Sequence, residues 1–393
     1  MRVSSGGALV QIARRKVGWS RARRRFSDPR GTVLGAREGP GLAFPAAINS
    51  RAMRLPYRPQ RILLTGAADP VGRLLLPALA GLGAPIRALA HPGGSPIPAS
   101  RVADLRLGDL ERPASLRGIA DGCDVVVHAA TRPGFTRLGR ARQRRINVDG
   151  TEAVLRESQS AEVKVFVLLG YTGTVQERGA LTAPVDEETP PEGEYESDSV
   201  RMICEAEALV LEANRVASLR TMVVSPGILA APGVPTALGG LIATFLRREL
   251  PFRLLDEVWL AMSDGGDIGR ATVAAIERGR GGRRYFATGD CLRLGHLYER
   301  MTRVTGVPAP RRRLPDLLVE ELGMLTPVLP PQSFLRQLVL PRELVLHLLR
   351  LAPLTNALTR EELGLSPTSL DDLLLRFART EGVLAGDVAG AAG

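Results

Sequence analysis

Two glycines, Gly66 and Gly72, carry the clearest chemical signal in the sequence. They enclose a turn of small residues, and an apolar run with helical periodicity begins directly after it. Such a turn can bind nucleotide phosphates, because the first glycine permits a tight bend and the later one lets the helix pack closely on the strand. The predicted phosphate-binding residues are Gly66, Ala67, Ala68, Asp69, Pro70, Val71 and Gly72.

Asp69 departs from the usual form of this turn. It stands where a spacing of the type G-x-x-G-x-x-G has its middle glycine. Its carboxylate is expected to lie at or near the phosphates and to repel them. The substitution leaves the signal for the fold intact and weakens the signal for nucleotide binding.

Strand and helix patterns alternate around this turn. Short runs suited to strands lie at residues 61–65, 85–90, 124–130 and 163–169. Helical patterns separate them, and one opens at Ile146. Largely apolar runs are typical of strands buried on both faces of a parallel sheet. The alternation predicts an α/β fold, a doubly wound parallel Rossmann sheet with a smaller helical C-terminal lobe.

Charge is distributed unevenly along the 393 residues. Residues 1–55 hold eleven arginines and one lysine against two acidic residues, which is +10 of the total net charge of +11. The rest is nearly neutral, so the charge gives no reason to expect a nucleic-acid partner.

The three cysteines, Cys123, Cys204 and Cys291, lack C-x-x-C spacing. This favours a reducing, cytoplasmic location and argues against a metal site.

The chain divides into three parts by composition. Residues 1–55 are expected to be a disordered basic extension or the product of a mis-assigned start, with translation beginning at Met53. A transit peptide or a tether to an anionic surface remains the alternative. Residues 56–225 are predicted to form a nucleotide-binding Rossmann domain, and 226–393 a lobe that binds the substrate, with 283–290 returning to the sheet.

Several motifs occur in the order and spacing of one protein family. The stretches 65–68, 108–110, 128–130 and 147–151 resemble those of the extended short-chain dehydrogenase/reductase superfamily. The branch most similar is the NAD-dependent epimerase/dehydratase and dihydroflavonol-reductase group. Further similarity lies at residues 219–233, 285–306 and 361–367.

The resemblance implies roles for five residues in binding NAD or NADP. Asp109 would contact the adenine, and Leu110 would flank it. Ala129 and Ala130 would line the path of the pyrophosphate and nicotinamide. Asn147 would support the helix that carries the active-site base. His128, at a strand end, is expected to be a packed residue rather than a catalyst.

The choice between NAD and NADP leans toward NADP. After the second strand pattern no acidic residue is present to bind a ribose 2′-hydroxyl. Arg87 and His91 are expected to leave an electropositive end that suits a 2′-phosphate, and we expect His91 to contact the cofactor.

The family reaction uses a tyrosine whose pKa is lowered by a lysine four residues later. This chain has only Lys16 and Lys164, and Ile12 and Ser160 stand four residues before them. No Tyr-x-x-x-Lys motif is therefore present, whatever the alignment.

Two alignments remain open for the catalytic positions. One puts Ser199 at the tyrosine and Ile203 at the lysine, and the other puts Tyr195 at the tyrosine and Ser199 at the lysine. The hydroxyl that polarises the substrate falls at Tyr171, with Thr172 beside it. A tyrosine without its lysine would have a pKa near 10 and be ionised to only about one part in a thousand at neutral pH. A solvated acidic loop at 186–199 is the alternative reading.

The sequence thus predicts an NAD(P)-binding protein, an oxidoreductase or epimerase acting on a small hydrophobic or sugar-nucleotide substrate. The alternative is a non-catalytic Rossmann-fold binding or scaffolding protein.

Apolar helical segments at 334–340 and 344–351 are expected to serve the core or a homodimer interface, with membrane-surface contact as the alternative. No run is long enough to span a bilayer.

Overall fold

The computed structural model describes most of the chain after residue 55. The described residues are 56–97, 101–131, 139–179, 183–191, 194–215, 218–325 and 340–383. The predictions for residues 1–55 and for 334–339 lie outside them.

Ten strands and twelve α-helices are found in the described residues. The strands are β1 Ile62–Thr65, β2 Ile86–Ala90, β3 Asp104–Leu107, β4 Val125–His128, β5 Val165–Leu169, β6 Arg220–Pro226, β7 Ile228–Leu229, β8 Trp259–Ser263, β9 Arg284–Ala287 and β10 Cys291–Arg293. The helices are Pro70–Ala80, Arg140–Arg144, Gly150–Ser160, Gly173–Gln176, Asp198–Ala213, Ala237–Leu246, Gly265–Arg278, Leu294–Thr305, Asp316–Gly323, Arg342–Leu349, Ala357–Leu363 and Leu370–Thr380.

Seven of the strands form one parallel sheet in the order β3-β2-β1-β4-β5-β6-β9. The order runs outward in both directions from β1 and β4, where Thr65 lies beside His128. Strands β1, β4 and β5 are buried along their whole length, as the apolar runs predicted. The prediction of a doubly wound parallel Rossmann sheet is confirmed.

Helices cover both faces of this sheet. The helices Pro70–Ala80 and Gly265–Arg278 supply apolar residues to the core on one face, and Gly150–Ser160 and Asp198–Ala213 supply the other. A separate core belongs to the C-terminal helices and to the small sheet β10-β8-β7. The smaller helical lobe predicted from the sequence is therefore present.

One helix begins earlier than the sequence pattern indicated. The structure has a helix at Arg140–Arg144 and a π-helical turn at Arg145–Asp149 that leads into Gly150–Ser160. The prediction that the helix opens at Ile146 was wrong, because the arginine-rich first turns are largely exposed and show no apolar periodicity. The π-helical turn buries Ile146, Asn147 and Val148.

None of the helices in the described ranges is long and apolar enough to cross a membrane.

Candidate cofactor and active site

The turn after β1 is packed too tightly for side chains at its two glycines. Gly66 has a φ of 69°, in the left-handed region that favours glycine. A Cβ at Gly66 would lie 2.7 Å from the carbonyl oxygen of Ala129, and one at Gly72 would lie 2.0 Å from the carbonyl oxygen of Gly66. The helix therefore starts in direct backbone contact with the turn, as a phosphate-binding turn requires.

Asp69 is the last residue before the helix Pro70–Ala80. Its φ of −77° and ψ of 159° are extended, so this position does not need a glycine for its backbone. Its amide donates to the carbonyl oxygen of Gly66 over 2.9 Å. The amides of Val71 and Gly72 precede the first bond within the helix, from Arg73 to Asp69, and such amides are suited to bind an anion.

The turn lies where the strand order reverses. The carboxyl ends of β1 and β4 are neighbours there, and this is where open α/β sheets bind their ligands. Ala129 and Ala130 follow β4 directly and are small and buried. The closely packed glycine turn and these small residues fit the pyrophosphate of a dinucleotide.

Asp109 stands on the other side of β1, next to His91. Its Oδ1 accepts a hydrogen bond from the amide of Glu111 at 2.9 Å, and the Nε2 atom of His91 is 3.7 Å from it. Arg112 is 3.6 Å from the other carboxylate oxygen. Leu110 packs against Gly150, whose added Cβ would be 2.8 Å from the Cβ of Leu110. The contact of Asp109 with adenine stays a prediction.

Arg87 does not add positive charge to this end of the site. Its side chain is buried, and its Nε donates to Asp104 over 2.6 Å. Its Nη1 donates to the carbonyl oxygens of Ile119 and Asp121. The expectation that Arg87 faces a 2′-phosphate was wrong, because the residue points away into the fold and is already paired.

His128 is fully buried and bonded at both ring nitrogens. Thr151 donates its single hydroxyl hydrogen to the carbonyl oxygen of Asn147 over 2.7 Å, so it must accept from Nε2 of His128 at 3.0 Å. Nδ1 then accepts from the Thr65 hydroxyl at 2.6 Å. Burial lowers the pKa of His128 to about 4. These hydrogen bonds confirm that His128 is a packed residue. They join β1 and β4 to the π-helical turn that contains Asn147.

Tyr171 lies two residues beyond β5 and contacts a histidine of the C-terminal lobe. Its hydroxyl is 2.9 Å from Nε2 of His347, and Nδ1 of the same ring is 2.6 Å from a carboxylate oxygen of Glu177. The side chains of His347 and Glu177 are fully buried. Burial, with a smaller contribution from Glu177, raises the pKa of Tyr171 above its usual value. Its hydroxyl therefore carries its proton at neutral pH.

Thr172 follows Tyr171 and caps the short helix Gly173–Gln176. Its amide donates to the carbonyl oxygen of Pro226 over 3.0 Å. Its hydroxyl is buried and has no hydrogen-bond partner among the described residues. A buried hydroxyl without a partner is costly in a fold.

Tyr195 lies just before the helix Asp198–Ala213, and its hydroxyl donates to the carbonyl oxygen of Thr174 over 2.7 Å. Its pKa is raised, chiefly by burial and next by Cys204. A hydroxyl whose proton is held by a backbone carbonyl is less suited to protonate a substrate.

The start of the helix Asp198–Ala213 favours one of the two alignments. Ser197 caps the helix, so Ser199 and Ile203 lie on it one turn apart, whereas Tyr195 precedes it. The tyrosine and lysine of the family act together across one helical turn, which only Ser199 and Ile203 reproduce. Ile203 is fully buried in a cluster with Tyr171 and Val200. In that alignment an apolar side chain would occupy the place of the lysine, beside Tyr171.

A buried ion pair supports the loop that carries Tyr171. Glu207 is fully buried, accepts from the amide of Tyr171 at 3.1 Å and from Thr174 at 3.0 Å, and is 3.0 Å from Arg284 on β9. Gly170 leaves room for this carboxylate, since a Cβ there would lie 2.2 Å from it.

The loop before this helix is less solvated than its acidic composition indicated. Glu187 is buried and accepts from both the amide and the hydroxyl of Thr359. Val185 and Ser199 are buried as well. The alternative of a solvated loop at 186–199 therefore holds only in part, since Glu187 and Ser199 are buried whereas Glu188, Glu194 and Glu196 are exposed.

Sequence reasoning missed His347 and Glu177. The pair lies 170 residues apart, and neither belongs to a motif. The only available signal was a histidine within an apolar helical segment and a glutamate shortly after a buried strand, which is too common a pattern to single out.

A separate cleft of about 510 Å³ lies near the carboxyl end of β9, and it contains none of the predicted site residues. Its walls are formed by Asp290, Arg360 and the segment 364–369. In the part of the chain that the structure describes, no group of three or more His, Cys, Asp and Glu side chains could hold a metal ion.

The sheet order and the glycine turn at its reversal define a Rossmann-fold dinucleotide-binding protein. Residues 62–286, more than half of the chain, match the NAD dependent epimerase/dehydratase family. The chain belongs to that family, and its cofactor is a nicotinamide dinucleotide.

Two curated relatives are similar over much of their length. The chain is 30% identical over 270 residues to the 4-hydroxy-2-methyl-3-oxo-4-farnesyl-3,4-dihydroquinoline-1-oxide ketoreductase of Stigmatella aurantiaca, an alignment that covers 67% of this chain and 74% of that protein. It is 26% identical over 321 residues to sterol demethylase protein B of Methylococcus capsulatus, which covers 78% and 94%.

Solved structures share the fold at lower identity. The terminal R domain of the myxalamid PKS-NRPS biosynthetic pathway has a TM-score of 0.67 and 20% identity, covering 82% of this chain and 90% of that one. UDP-glucose 4-epimerase from Thermotoga maritima has a TM-score of 0.63 and 18% identity, covering 81% and 98%.

Proposed function

We propose that this protein is an NAD(P)-dependent oxidoreductase that interconverts a carbonyl and an alcohol, with Tyr171 as the group that exchanges a proton with the substrate oxygen. The observation that carries the proposal is the position of the Tyr171 hydroxyl, near the carboxyl end of β5 and 2.9 Å from a histidine ring nitrogen. β5 is the neighbour of β4, whose carboxyl end faces the phosphate-binding turn.

The cofactor would be held by the residues that the sequence indicated. The amides of Val71 and Gly72 would bind the pyrophosphate, Ala129 and Ala130 would line its path, and Asp109 would meet the adenine. When bound, the nicotinamide supplies or accepts the hydride.

The chain's own residues would handle the proton. Tyr171 would donate its hydroxyl hydrogen to the carbonyl oxygen, and Thr172 would orient that oxygen with a second hydrogen bond. Ser199 and Tyr195 would act as supports for the loop rather than as proton donors. The position of Ile203 explains why another group must assist Tyr171.

NADP is the preferred cofactor in this proposal. No acidic residue follows β2, and the side chain of His91 is about half exposed there. Arg73 is also exposed, and it joins the turn to the segment after β2 by donating to the carbonyl oxygens of Ala68 and Pro96. A 2′-phosphate would find the guanidinium of Arg73 and a hydrogen-bond donor in the ring of His91. This preference is tested by measuring the affinities of the wild type and of Arg73→Ala for NADPH and for NADH. The substitution should weaken the binding of NADPH more than that of NADH.

A small hydrophobic substrate is favoured over a sugar nucleotide. The two curated relatives carry names that refer to a farnesylated quinoline oxide and to a sterol. The likeness to sugar-nucleotide epimerases lies below 25% identity and concerns the fold.

We further propose a cytoplasmic homodimer. The three cysteines are unpaired, which suits a reducing compartment. The helix Asp316–Gly323 exposes Leu317, Leu318 and Leu322, which are 67%, 48% and 38% accessible. A patch of this kind suits a subunit interface. Light scattering of the wild type and of Leu317→Glu tests it, since the substitution should shift a dimer toward the monomer.

Turnover assays test the proposed activity. Purified full-length protein is incubated with NADPH or NADH and a panel of apolar ketones, steroids and nucleotide sugars, and the oxidation of the cofactor and the alcohol product are followed together. We expect stoichiometric reduction of at least one apolar ketone. Saturable dinucleotide binding with no turnover of any compound, at neutral or high pH, would support the non-catalytic alternative instead.

A further inference from the structure

We infer that Tyr171, His347 and Glu177 form a proton relay that takes the place of the absent lysine. The inference rests on the proposed function and adds two residues to it. His347 is the group that exchanges a proton with the tyrosine, and Glu177 is a positioning residue that holds the imidazole.

The hydrogen positions follow from what each atom can accept. A carboxylate only accepts, so the 2.6 Å contact between Glu177 and Nδ1 of His347 places a hydrogen on Nδ1. A neutral ring then has its lone pair on Nε2, which accepts the hydroxyl hydrogen of Tyr171 over 2.9 Å. When Nε2 gains a proton, it becomes the donor, and the tyrosine hydrogen is released to turn toward a substrate.

Charged groups lie close to the His347 ring. His347 faces Glu177 on one side and Tyr171 on the other, and Arg350 lies one turn further along the chain, with its Nε 3.8 Å from Glu177. Glu196 is 3.5 Å from Arg350, and Glu207 contacts the amide of Tyr171. The buried carboxylate of Glu177 compensates the positive charge of an imidazolium, as in relays where an acid orients a histidine.

The reduction step balances with these groups. The hydride brings two electrons to the carbonyl carbon, the C=O π bond breaks, and the oxygen takes the hydroxyl hydrogen of Tyr171. The resulting phenolate takes the hydrogen from Nε2 of the His347 imidazolium, which leaves a neutral ring. In the reverse direction the neutral ring accepts the hydrogen from Tyr171, and Tyr171 accepts the alcohol proton.

The second carboxylate oxygen of Glu177 accepts from the amide of Glu196, which holds the carboxylate in place beside Nδ1. Nε2 faces Tyr171. The ring therefore regains its proton through the Tyr171 hydroxyl once the product has left the site.

The same contacts could serve only to fasten the C-terminal lobe. The helix Arg342–Leu349 carries His347, and two isolated β-bridges, Glu177 with Leu351 and Val185 with Leu354, already join the two parts. The test therefore needs a measurement that a fastening role would leave unchanged.

Nitrogen NMR of the histidines supplies that measurement. The chain has four histidines, so full-length protein labelled at the imidazole nitrogens gives few signals. The signals of His347 are those that disappear in His347→Gln. We expect His347 to carry its hydrogen on Nδ1 and His128 to carry it on Nε2. We also expect the His347 signals to change in Tyr171→Phe, which removes the hydroxyl bonded to Nε2. A ring that stays doubly protonated up to pH 9, or that carries its hydrogen on Nε2, overturns the relay.

Steady-state kinetics supplies the second measurement. His347→Gln retains a donor and an acceptor but cannot titrate, so kcat for ketone reduction should fall about 100-fold, with KM changed less than about threefold. The pH profile of kcat should differ between the wild type and His347→Gln, because only the wild type has an ionisable ring at this position. Glu177→Gln should change the profile as well, because it replaces the carboxylate that faces Nδ1 with a neutral amide. The exposed His296→Gln is the matched control and should match the wild type.

The outcomes separate the relay from the activity that it serves. An active wild type whose pH profile is unchanged in His347→Gln overturns the relay and leaves the oxidoreductase in place. A wild type that binds the dinucleotide and reduces no carbonyl overturns both. A pH profile that changes in His347→Gln, together with a hydrogen on Nδ1 of His347, supports both.

Discussion

The Oη atom of Tyr171 and the Nε2 atom of His347 lie 2.9 Å apart, although 176 residues separate them in the sequence. The helix Arg342–Leu349 thus brings a histidine to the tyrosine that follows β5 and clusters with Ile203. In this chain the C-terminal lobe supplies the side chain that can assist the tyrosine. The lobe is therefore part of the candidate active site as well as the expected substrate-binding region.

Gly72→Ala should destabilise the protein and abolish dinucleotide binding. The added methyl group would lie 2.0 Å from the carbonyl oxygen of Gly66, which is backbone and cannot move without opening the turn. We expect a loss of about 3 kcal/mol or more of unfolding free energy in urea titrations. Gly240→Ala is the matched control, because it lies inside the helix Ala237–Leu246 with nothing within 4 Å of an added Cβ. It should stabilise by about 0.5–1 kcal/mol. Equal stabilities of the two variants would refute the tight turn.

Asp69→Gly should tighten the binding of NADPH by about tenfold, since it removes a carboxylate next to the pyrophosphate. The cost in stability should be a few tenths of a kcal/mol, roughly that of exchanging one N-cap residue for glycine. Calorimetric titration measures the affinity. Asp290→Gly removes a 75% exposed carboxylate from the loop after β9 and should leave the affinity unchanged. Unchanged or weaker binding by Asp69→Gly would show that the carboxylate does not face the phosphates.

The buried pair of Glu207 and Arg284 should be strongly coupled. Each single change, Glu207→Leu or Arg284→Met, leaves a buried charge without its partner and should cost about 3–5 kcal/mol. The double variant should cost much less than the sum of the two. Denaturant unfolding of all four proteins gives the coupling energy. Additive costs would mean that the 3.0 Å contact contributes nothing to stability.

His128 should make the protein less stable as the pH falls from 6.5 to 4. Its pKa is about 4 in the folded protein, below the ordinary 6.5, so the unfolded chain binds the extra proton first. The stabilisation is complete above pH 6.5 and is lost as the pH falls to 4, by about 3 kcal/mol. His128→Gln should lose less stability over this interval. Urea titrations of both proteins at pH 7, 5.5 and 4.5 would show the difference. An equal loss of unfolding free energy with falling pH in the two proteins would contradict it.

Local requirements explain which parts of the fold and the site the sequence predicted. Gly66 and Gly72 are dictated by backbone geometry within seven residues, and the buried strands by runs of apolar residues. Ser197 is of a residue type that commonly caps helices, and as the N-cap it fixes where the helix begins. Recognising this cap in the sequence would have favoured the alignment with Ser199 and Ile203 at the catalytic positions.

Long-range packing explains what the sequence did not predict. Arg87 is buried because Asp104 on the neighbouring strand and two backbone carbonyls meet it, and only the paired sheet shows this. Glu177 and His347 become neighbours only when the C-terminal lobe folds back onto the loop after β5. Neither relationship leaves a periodic pattern or a motif spacing.

The assignment of the proton donor is tested most directly by comparing Tyr171→Phe with Tyr195→Phe in ketone reduction at pH 7. Each variant loses one hydroxyl and keeps its ring, and Tyr195 normally donates to the backbone of Thr174. If Tyr171 is the donor, kcat of Tyr171→Phe should fall about 100-fold or more, while Tyr195→Phe should stay within about threefold of the wild type. Full activity of Tyr171→Phe, or a larger loss in Tyr195→Phe, would contradict the account.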